Sequence, residues 1–270
     1  DGSATLEREG RADTATVNLP LLHGDRLRTD AGRVELLLGD GSALYLDYHT
    51  QVDLQSDTLI RLMAGRVTLR VRGAEAGQEP ARYLLDTPAG SVRTSDAGVY
   101  RVSLLTAERR VEVELAVVRG RAELVTSEGA MAVRAGERSV GHDGEKPSAP
   151  QAFNSARLDA FDQWAEPREE GVASTRSYQY LSPELQTYAR TFDQHGNWAQ
   201  MQPYGYVWYP SVAPGWRPYY NGYWNVVGRY GWTWIGSDPW AWPTHHFGRW
   251  GYSRTGTWFL RSRSGSARTV

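Results

Sequence analysis

Over the first 140 residues, apolar and polar positions alternate in short runs. In RVELLLGDGSALYLDY, Val34, Leu36 and Leu38 share one face, followed by Leu44 and Leu46. The same period of two recurs in GRVTLRVRG through Val67, Leu69 and Val71, and in RRVEVELAVV through Val111, Val113 and Leu115. Arg and Glu hold the opposite face of these last two runs. A period of two is that of a strand with one buried face. Turn formers separate the runs: Gly39-Asp40-Gly41, Ala64-Gly65, Pro88-Ala89-Gly90 and Ala135-Gly136. Short strands at roughly ten-residue spacing, with no helical period between them, predict a sandwich, a barrel or a stacked, solenoid-like β-coil.

The pattern breaks at GHDGEKPSAPQA (141–152), a linker of Gly, Pro, Ser and charge. FNSARLDAFDQWAEPREE then places Leu158, Phe161 and Trp164 at helical spacing. Asn154 or Ser155 is a candidate N-cap, and Pro167 predicts an end near that residue. SPELQTYARTF carries a second start signal: Ser182 as N-cap, Pro183 at the first helical position and Glu184 in the first turn. Both helices read as connectors.

From Trp198 to Phe259 the composition changes: ten Trp, eight Tyr and two Phe fall among turn-forming Gly and Pro. YGYVWYP, PGWRPYYNGYW, RYGWTWIGSDPWAW and HHFGRWGYSRTGTWF each join a turn to an aromatic pair, as short hairpins do. Their spacing has no fixed period, which argues against a solenoid or propeller here. The expected organisation is all-β: a β domain over 1–140, a linker with one or two short helices over 141–197, and a small aromatic-rich β module with a frayed tail over 198–270.

Composition narrows the chemistry. The 270 residues are 40% hydrophobic and 23% charged, which is globular rather than disordered. The absence of Cys excludes disulfides, thiol catalysis and Cys-ligated metal. No apolar run is long enough to span a membrane as a helix. The start, DGSATLEREG, reads as a mature terminus after processing or as a trimmed chain. Residues 181–270 carry eight Arg against Glu184, Asp193 and Asp238, a net of +5, whereas the first 180 carry 22 basic and 28 acidic residues. The two halves therefore differ in charge sign.

Two segments resemble known families. PLLHGDRLRTDAGRVELLLGDGSALYLD, followed by LMAGRVTLRV, LLDTPAGSVRTSDAGVYRVSL and VRGRAELV…VRAGERSV, resembles the FecR domain over about residues 1–140. YGYVWYP, GWRPYYNGYW, YGWTWIGSDPWAWPTHHFGRW and the Trp258 strand resemble a Tyr/Trp-rich domain of unknown function, over about 178–260, that often follows a FecR-like domain in bacterial envelope proteins. FDQW (161–164) fits the usual connector. The resemblance implies an exported protein, periplasmic or on the periplasmic face of a bacterial membrane. FecR itself is a membrane-anchored partner of sigma factors; this chain shows neither cytoplasmic anti-sigma helices nor a transmembrane segment, so that role is not carried over.

No catalytic constellation emerges. There is no G-x-S-x-G and no P-loop, and Glu112 and Glu114 sit on the solvated face of an alternating strand. His245 and His246 are adjacent, a spacing that on a strand sends them to opposite faces; they read as turn or core residues, and no metal or cofactor is expected. A net of +5 over ninety residues is too thin for a nucleic-acid groove. The chemistry that remains is aromatic. Most tryptophans are expected to hold the small module together and a minority to dock a partner. The expected contact set is Trp216, Tyr219, Trp224, Trp232, Trp234, Trp240, Trp242 and Trp250. The expected role is that of a non-enzymatic accessory or scaffold protein binding an envelope protein or membrane-protein complex. Alternatives are a glycan- or peptidoglycan-binding module, or a FecR-type sensor whose anchor has been removed.

Overall fold

The computed structural model describes residues 2–73, 79–107, 110–169 and 174–262. These residues are mostly β, 48% strand against 15% helix, as the alternating pattern requires. Two compact units divide the chain. The first runs to Ala15 and from Leu21 to Glu169; the second comprises Thr16–Pro20 and the chain from Glu170 onward.

The first unit is built from two sheets. One has nine strands in the order Gly129–Arg134, Arg121–Thr126, Gly90–Thr94, Leu84–Thr87, Leu59–Ala64, Gln51–Leu54, Arg26–Thr29, Ala4–Arg8 and Arg11–Thr14. The other has seven, in the order Gln151–Ala152, Glu137–His142, Arg110–Arg119, Gly98–Ala107, Arg66–Val71, Ala43–Leu46 and Val34–Leu37. Among the described residues every pairing is antiparallel except Leu59–Ala64 with Leu84–Thr87. After its first three strands the chain gives one or two strands to each sheet in turn, so it winds between the two layers as a coil while building a sandwich. The layers meet through side chains such as Val113, Leu124 and Thr126; a Cβ placed on Gly141 would lie 3.3 Å from Leu124 and 3.4 Å from Val113. Leu27, Val52, Leu62, Leu85 and Val92 of one sheet are buried, as are Leu44, Leu69, Val102 and Leu115 of the other.

One strand is buried on both faces. Leu44 and Leu46 point one way, as the alternation predicts, yet Ala43 and Tyr45 are equally buried. Their cover is helix α1 (Ala160–Glu169), whose Phe161, Ala165 and Trp164 pack on Ala43 and Tyr45. Asp159 caps α1: its Oδ1 accepts the backbone N–H of Phe161 and Asp162, while Asp162 Oδ2 accepts the N–H of Asp159. The cap is thus Asp159 rather than Asn154 or Ser155; Asn154 forms a local turn with the N–H of Ala156. The helix continues past Pro167 to Glu169. Ion pairs fix its start, with Arg101 on Asp162 at 3.0 Å, Arg66 on Asp159, and Arg33 donating to the carbonyl of Ala160. Asp47 joins Arg33 and Arg66 beneath it at 2.9 and 2.6 Å. FDQW is therefore part of the first unit's core and not a free connector.

The second unit has a four-stranded sheet, in the order Gly196–Met201, Gly205–Pro210, Trp258–Ser262 and Gly248–Tyr252, and a separate hairpin of Gly222–Val227 with Gly231–Gly236. Ser182 and Pro183 do open a helical segment, a 3-10 turn over Pro183–Tyr188 that runs into α2 (Ala189–His195). This segment is core as well: Leu181, Leu185, Ala189 and Phe192 cluster with Trp208, Trp240 and Leu260. Neither helix is a mere connector between modules; each fills an apolar surface that a sheet alone leaves open. Two indole N–H groups are used internally, Trp208 to the carbonyl of Phe192 and Trp198 to Ser177 Oγ, while those of Trp240 and Trp250 are buried without a partner among the described residues. Asn18 belongs to this unit, its amide donating to the carbonyls of Gly236 and Asp238 at 2.8 Å each.

Candidate functional site

The hairpin Gly222–Val227/Gly231–Gly236 sorts its side chains by register. Trp224 lies opposite Trp234 and Val226 opposite Trp232, which puts all four on one face. The opposite face carries Val227, Thr233 and Ile235, all buried, together with exposed Tyr223 and Asn225. One face of the second strand is thus anchored, and the Trp224 face is presented outward.

Cover is uneven on that face. Trp234 is only 6% exposed, enclosed by Tyr219, Trp224 and His245, with ring centroids 5.7, 5.6 and 6.4 Å away. Trp224, Val226 and Trp232 are 55%, 57% and 71% exposed. Tyr219 extends the strip, its ring parallel to Trp224 within 3° at 6.2 Å. Exposed Tyr220 lies beyond it beneath the guanidinium of Arg217, 4.7 Å from the ring centroid. At the hairpin turn Arg229 lies 5.3 Å over the ring of Tyr230, itself exposed. An apolar strip therefore runs through Tyr219, Trp224, Val226 and Trp232, with an arginine seated on a tyrosine at the residue after Tyr219 and at the hairpin turn.

Tyr219 is held firmly for an exposed residue. Its backbone is left-handed, φ 59°, a region a bulky residue enters only when its surroundings require it. Its N–H donates to Nε2 of His245 at 3.3 Å and its hydroxyl to the His245 carbonyl at 3.2 Å. His245 Nδ1 lies 3.0 Å from the carbonyl of Ala241. A carbonyl only accepts, so Nδ1 carries the proton and Nε2 is free to accept from Tyr219: the ring is neutral. Burial pushes the His245 pKa below its ordinary value, with the Ala241 bond opposing, His246 adding to the shift and Asp238 opposing it.

His245 and His246 are neither strand nor turn neighbours; they end a short helix, α3 (Ala241–His246). His245 is buried against Tyr219 and Trp250, and His246 Nε2 lies 3.0 Å from the carbonyl of Trp234. Among the described residues no group of three or more His, Cys, Asp or Glu is placed to hold a metal ion.

The expected contact set divides accordingly. Tyr219, Trp224 and Trp232 form the exposed strip. Trp234 and Trp240 are core and leave the set, Trp234 under Tyr219 and Trp240 against Trp208. Trp216, Trp242 and Trp250 are half-buried: Trp216 donates to Asp238 Oδ2 at 3.0 Å and packs on Trp250, while Trp242 lies 4.1 Å from the His246 ring. Val226, Tyr220 and Arg229 join the strip without having been singled out by sequence, whereas the Trp-Arg-Pro-Tyr run (216–219) does allow Arg217 to stack on a ring. The alternation in GYWNVV does place Val226 beside Trp224, but period alone does not tell a covered face from a bare one.

Two family models match the chain. Residues 25–123 match the FecR protein family, and residues 189–264 match a family of unknown function, DUF6600. The chain thus carries a FecR domain followed by a DUF6600 domain. No curated protein matches. Two crystal structures, at 2.50 and 1.65 Å, of a protein described as an anti-sigma factor from Parabacteroides distasonis are similar at 15% and 14% identity, each with a TM-score of 0.39. Each likeness covers 49% of this chain and 61% of the other, so this chain spans less than two thirds of that protein's length.

Proposed function

We propose that this chain is a non-enzymatic, exported accessory protein that attaches to another component of the bacterial envelope through the aromatic strip of its second unit, with a membrane-protein complex as the partner. One observation carries the reading. Trp224, Val226 and Trp232 stand open on a hairpin anchored from behind by buried Val227, Thr233 and Ile235. Large apolar side chains held rigid and bare are what a docking surface offers, since little entropy is lost on binding. The FecR domain supports the envelope assignment, because FecR-like proteins are usually envelope-associated. No helix among the described residues is long and apolar enough to cross a membrane.

The test is affinity isolation of the tagged protein from native membranes in mild detergent, beside a Trp224→Ala/Trp232→Ala variant. Recovery with integral membrane proteins at fixed stoichiometry, lost in the variant, is the expected result. Recovery of the wild type alone from the soluble fraction overturns the reading. The FecR match favours one second reading, a FecR-type sensor. Its signature in the same experiment is a single regulatory membrane partner whose association survives the double substitution.

A further inference from the structure

We infer that the strip from Arg217 to Arg229 is a membrane-interface contact, and that its occupant is the headgroup region of a bilayer containing anionic lipid. The inference rests on the reading of this strip as a contact surface and adds the lipid surrounding a membrane-protein complex to what the strip touches.

Three features select lipid. The first is charge. Between residues 194 and 262 the chain has Arg217, Arg229, Arg249, Arg254 and Arg261 against a single carboxylate, Asp238. Asp238 is taken up by the indole N–H of Trp216. The strip itself carries arginine and no acid, so it complements an anionic surface.

The second is the kind of apolar group. Tyr219, Tyr220, Trp224, Tyr230 and Trp232 are all exposed and amphipathic, with a flat apolar body and a polar N–H or O–H. Trp and Tyr favour the depth where acyl chains meet headgroups, because that depth satisfies both parts. The N–H groups of Trp224 and Trp232 make no hydrogen bond among the described residues and, unlike the equally unbonded but buried ones of Trp240 and Trp250, belong to exposed side chains. Each keeps a donor for an ester carbonyl or phosphate oxygen.

The third is Val226, 57% exposed between the two tryptophans. A sugar would set hydroxyls against it, whereas an acyl boundary sets methylenes against it. Arg217, seated on Tyr220, has a long side chain that reaches back to phosphate while the centre settles deeper.

The experiment uses the whole chain and extruded vesicles. One set is made of equal parts phosphatidylcholine and phosphatidylglycerol, the other of phosphatidylcholine alone. The readouts are co-sedimentation and tryptophan emission. The expected result is sedimentation with the anionic vesicles, a blue shift, and release by salt. Arg217→Gln should weaken partition about five-fold, the ~1 kcal/mol that one basic residue contributes at an anionic surface. Trp224→Ala/Trp232→Ala should abolish the blue shift while the far-ultraviolet circular dichroism is unchanged. Failure of the wild type to sediment with anionic vesicles overturns the lipid assignment, as does binding that the tryptophan pair does not affect. The two readings fail separately. If vesicles do not bind but the tryptophan pair still abolishes recovery with a membrane complex, the docking surface stands and its occupant is protein. If neither occurs, the docking reading falls as well.

Discussion

Tyr219 gives its backbone N–H to Nε2 of His245 across 3.3 Å, so an exposed ring of the aromatic strip is seated by a buried, neutral imidazole. Protonation of His245 would put a second N–H where Tyr219 donates and a charge where burial disfavours one. The folded-state pKa of His245 is below its unfolded value, as is that of the part-buried His195, in both cases chiefly through burial. The unfolded chain therefore binds these protons first. Stability is fully present above the unfolded histidine pKa, about 6.5, and is lost as pH falls from there through the lowered folded values. Thermal melts from pH 8 to pH 5 should show this decline. In His245→Gln, where the side-chain amide oxygen can still accept from Tyr219, the decline should be shallower. Equal slopes would show that His245 is not among the linked groups.

The strip and the core of the second unit are built from the same residue type, and substitution should separate them. Trp208 is fully buried, bonded to the Phe192 carbonyl and ringed by Phe192 and Trp240. Trp208→Ala removes this packing and leaves a cavity, an expected cost of about 3–5 kcal/mol. Trp232 is 71% exposed. Trp232→Ala should stay within about 0.5 kcal/mol of the parent in a denaturant titration. Comparable losses at both positions would mean that Trp232 is structural.

The strands are legible because a sheet writes its buried face into the sequence at every second residue; Val67, Leu69 and Val71 read in this way and are buried. Tyr45 is not legible as core. Its cover is a helix far along the chain, and no local pattern announces which outer sheet face a distant helix will choose. The same limit separates Trp224 from Trp234. They face the same way on one hairpin, and their difference comes from Trp234 lying beneath Tyr219, Trp224 and His245 together, while Trp224 meets Tyr219 and Trp234 and stays open. The histidine pair misleads for a related reason. Amid aromatic strands its surroundings read as extended chain, yet WPTHH forms a turn of helix because the Thr244 hydroxyl and His245 Nδ1 bond back to the carbonyls of Trp240 and Ala241.

Helix α1 supplies the next expectation. Phe161 is buried against Ala43 and Tyr45, with the guanidinium groups of Arg33 and Arg66 5.6 and 4.9 Å from its ring centroid. Phe161→Ala should cost about 3–5 kcal/mol and loosen the helix from the sheet. Hydrogen exchange is the measurement: amides of Ala160–Glu169 should lose protection before those of the sandwich strands. Uniform loss across the first unit would instead show that α1 and the two sheets unfold as one.

Gly65 tests how closely the two sheets are stitched. It joins Leu59–Ala64 of one sheet to Arg66–Val71 of the other, with φ +82°, a conformation that side chains rarely adopt. A Cβ there would lie 2.6 Å from Thr50 Cα and 2.7 Å from the His49 carbonyl oxygen. Thr50 cannot retreat, because its hydroxyl donates to the carbonyl of Arg66 while accepting that residue's N–H, and its own N–H donates to Thr29 Oγ1. Gly65→Ala therefore combines backbone strain with a clash against a fixed neighbour, and should cost about 2 kcal/mol or more. Gly136 also has a left-handed φ, +81°, but a methyl group there would meet nothing within 4 Å, so Gly136→Ala encounters backbone strain alone. Urea midpoints of the two variants should therefore differ, with Gly65→Ala the lower. Equal midpoints would mean that the sheet crossing yields freely and that left-handed strain accounts for both.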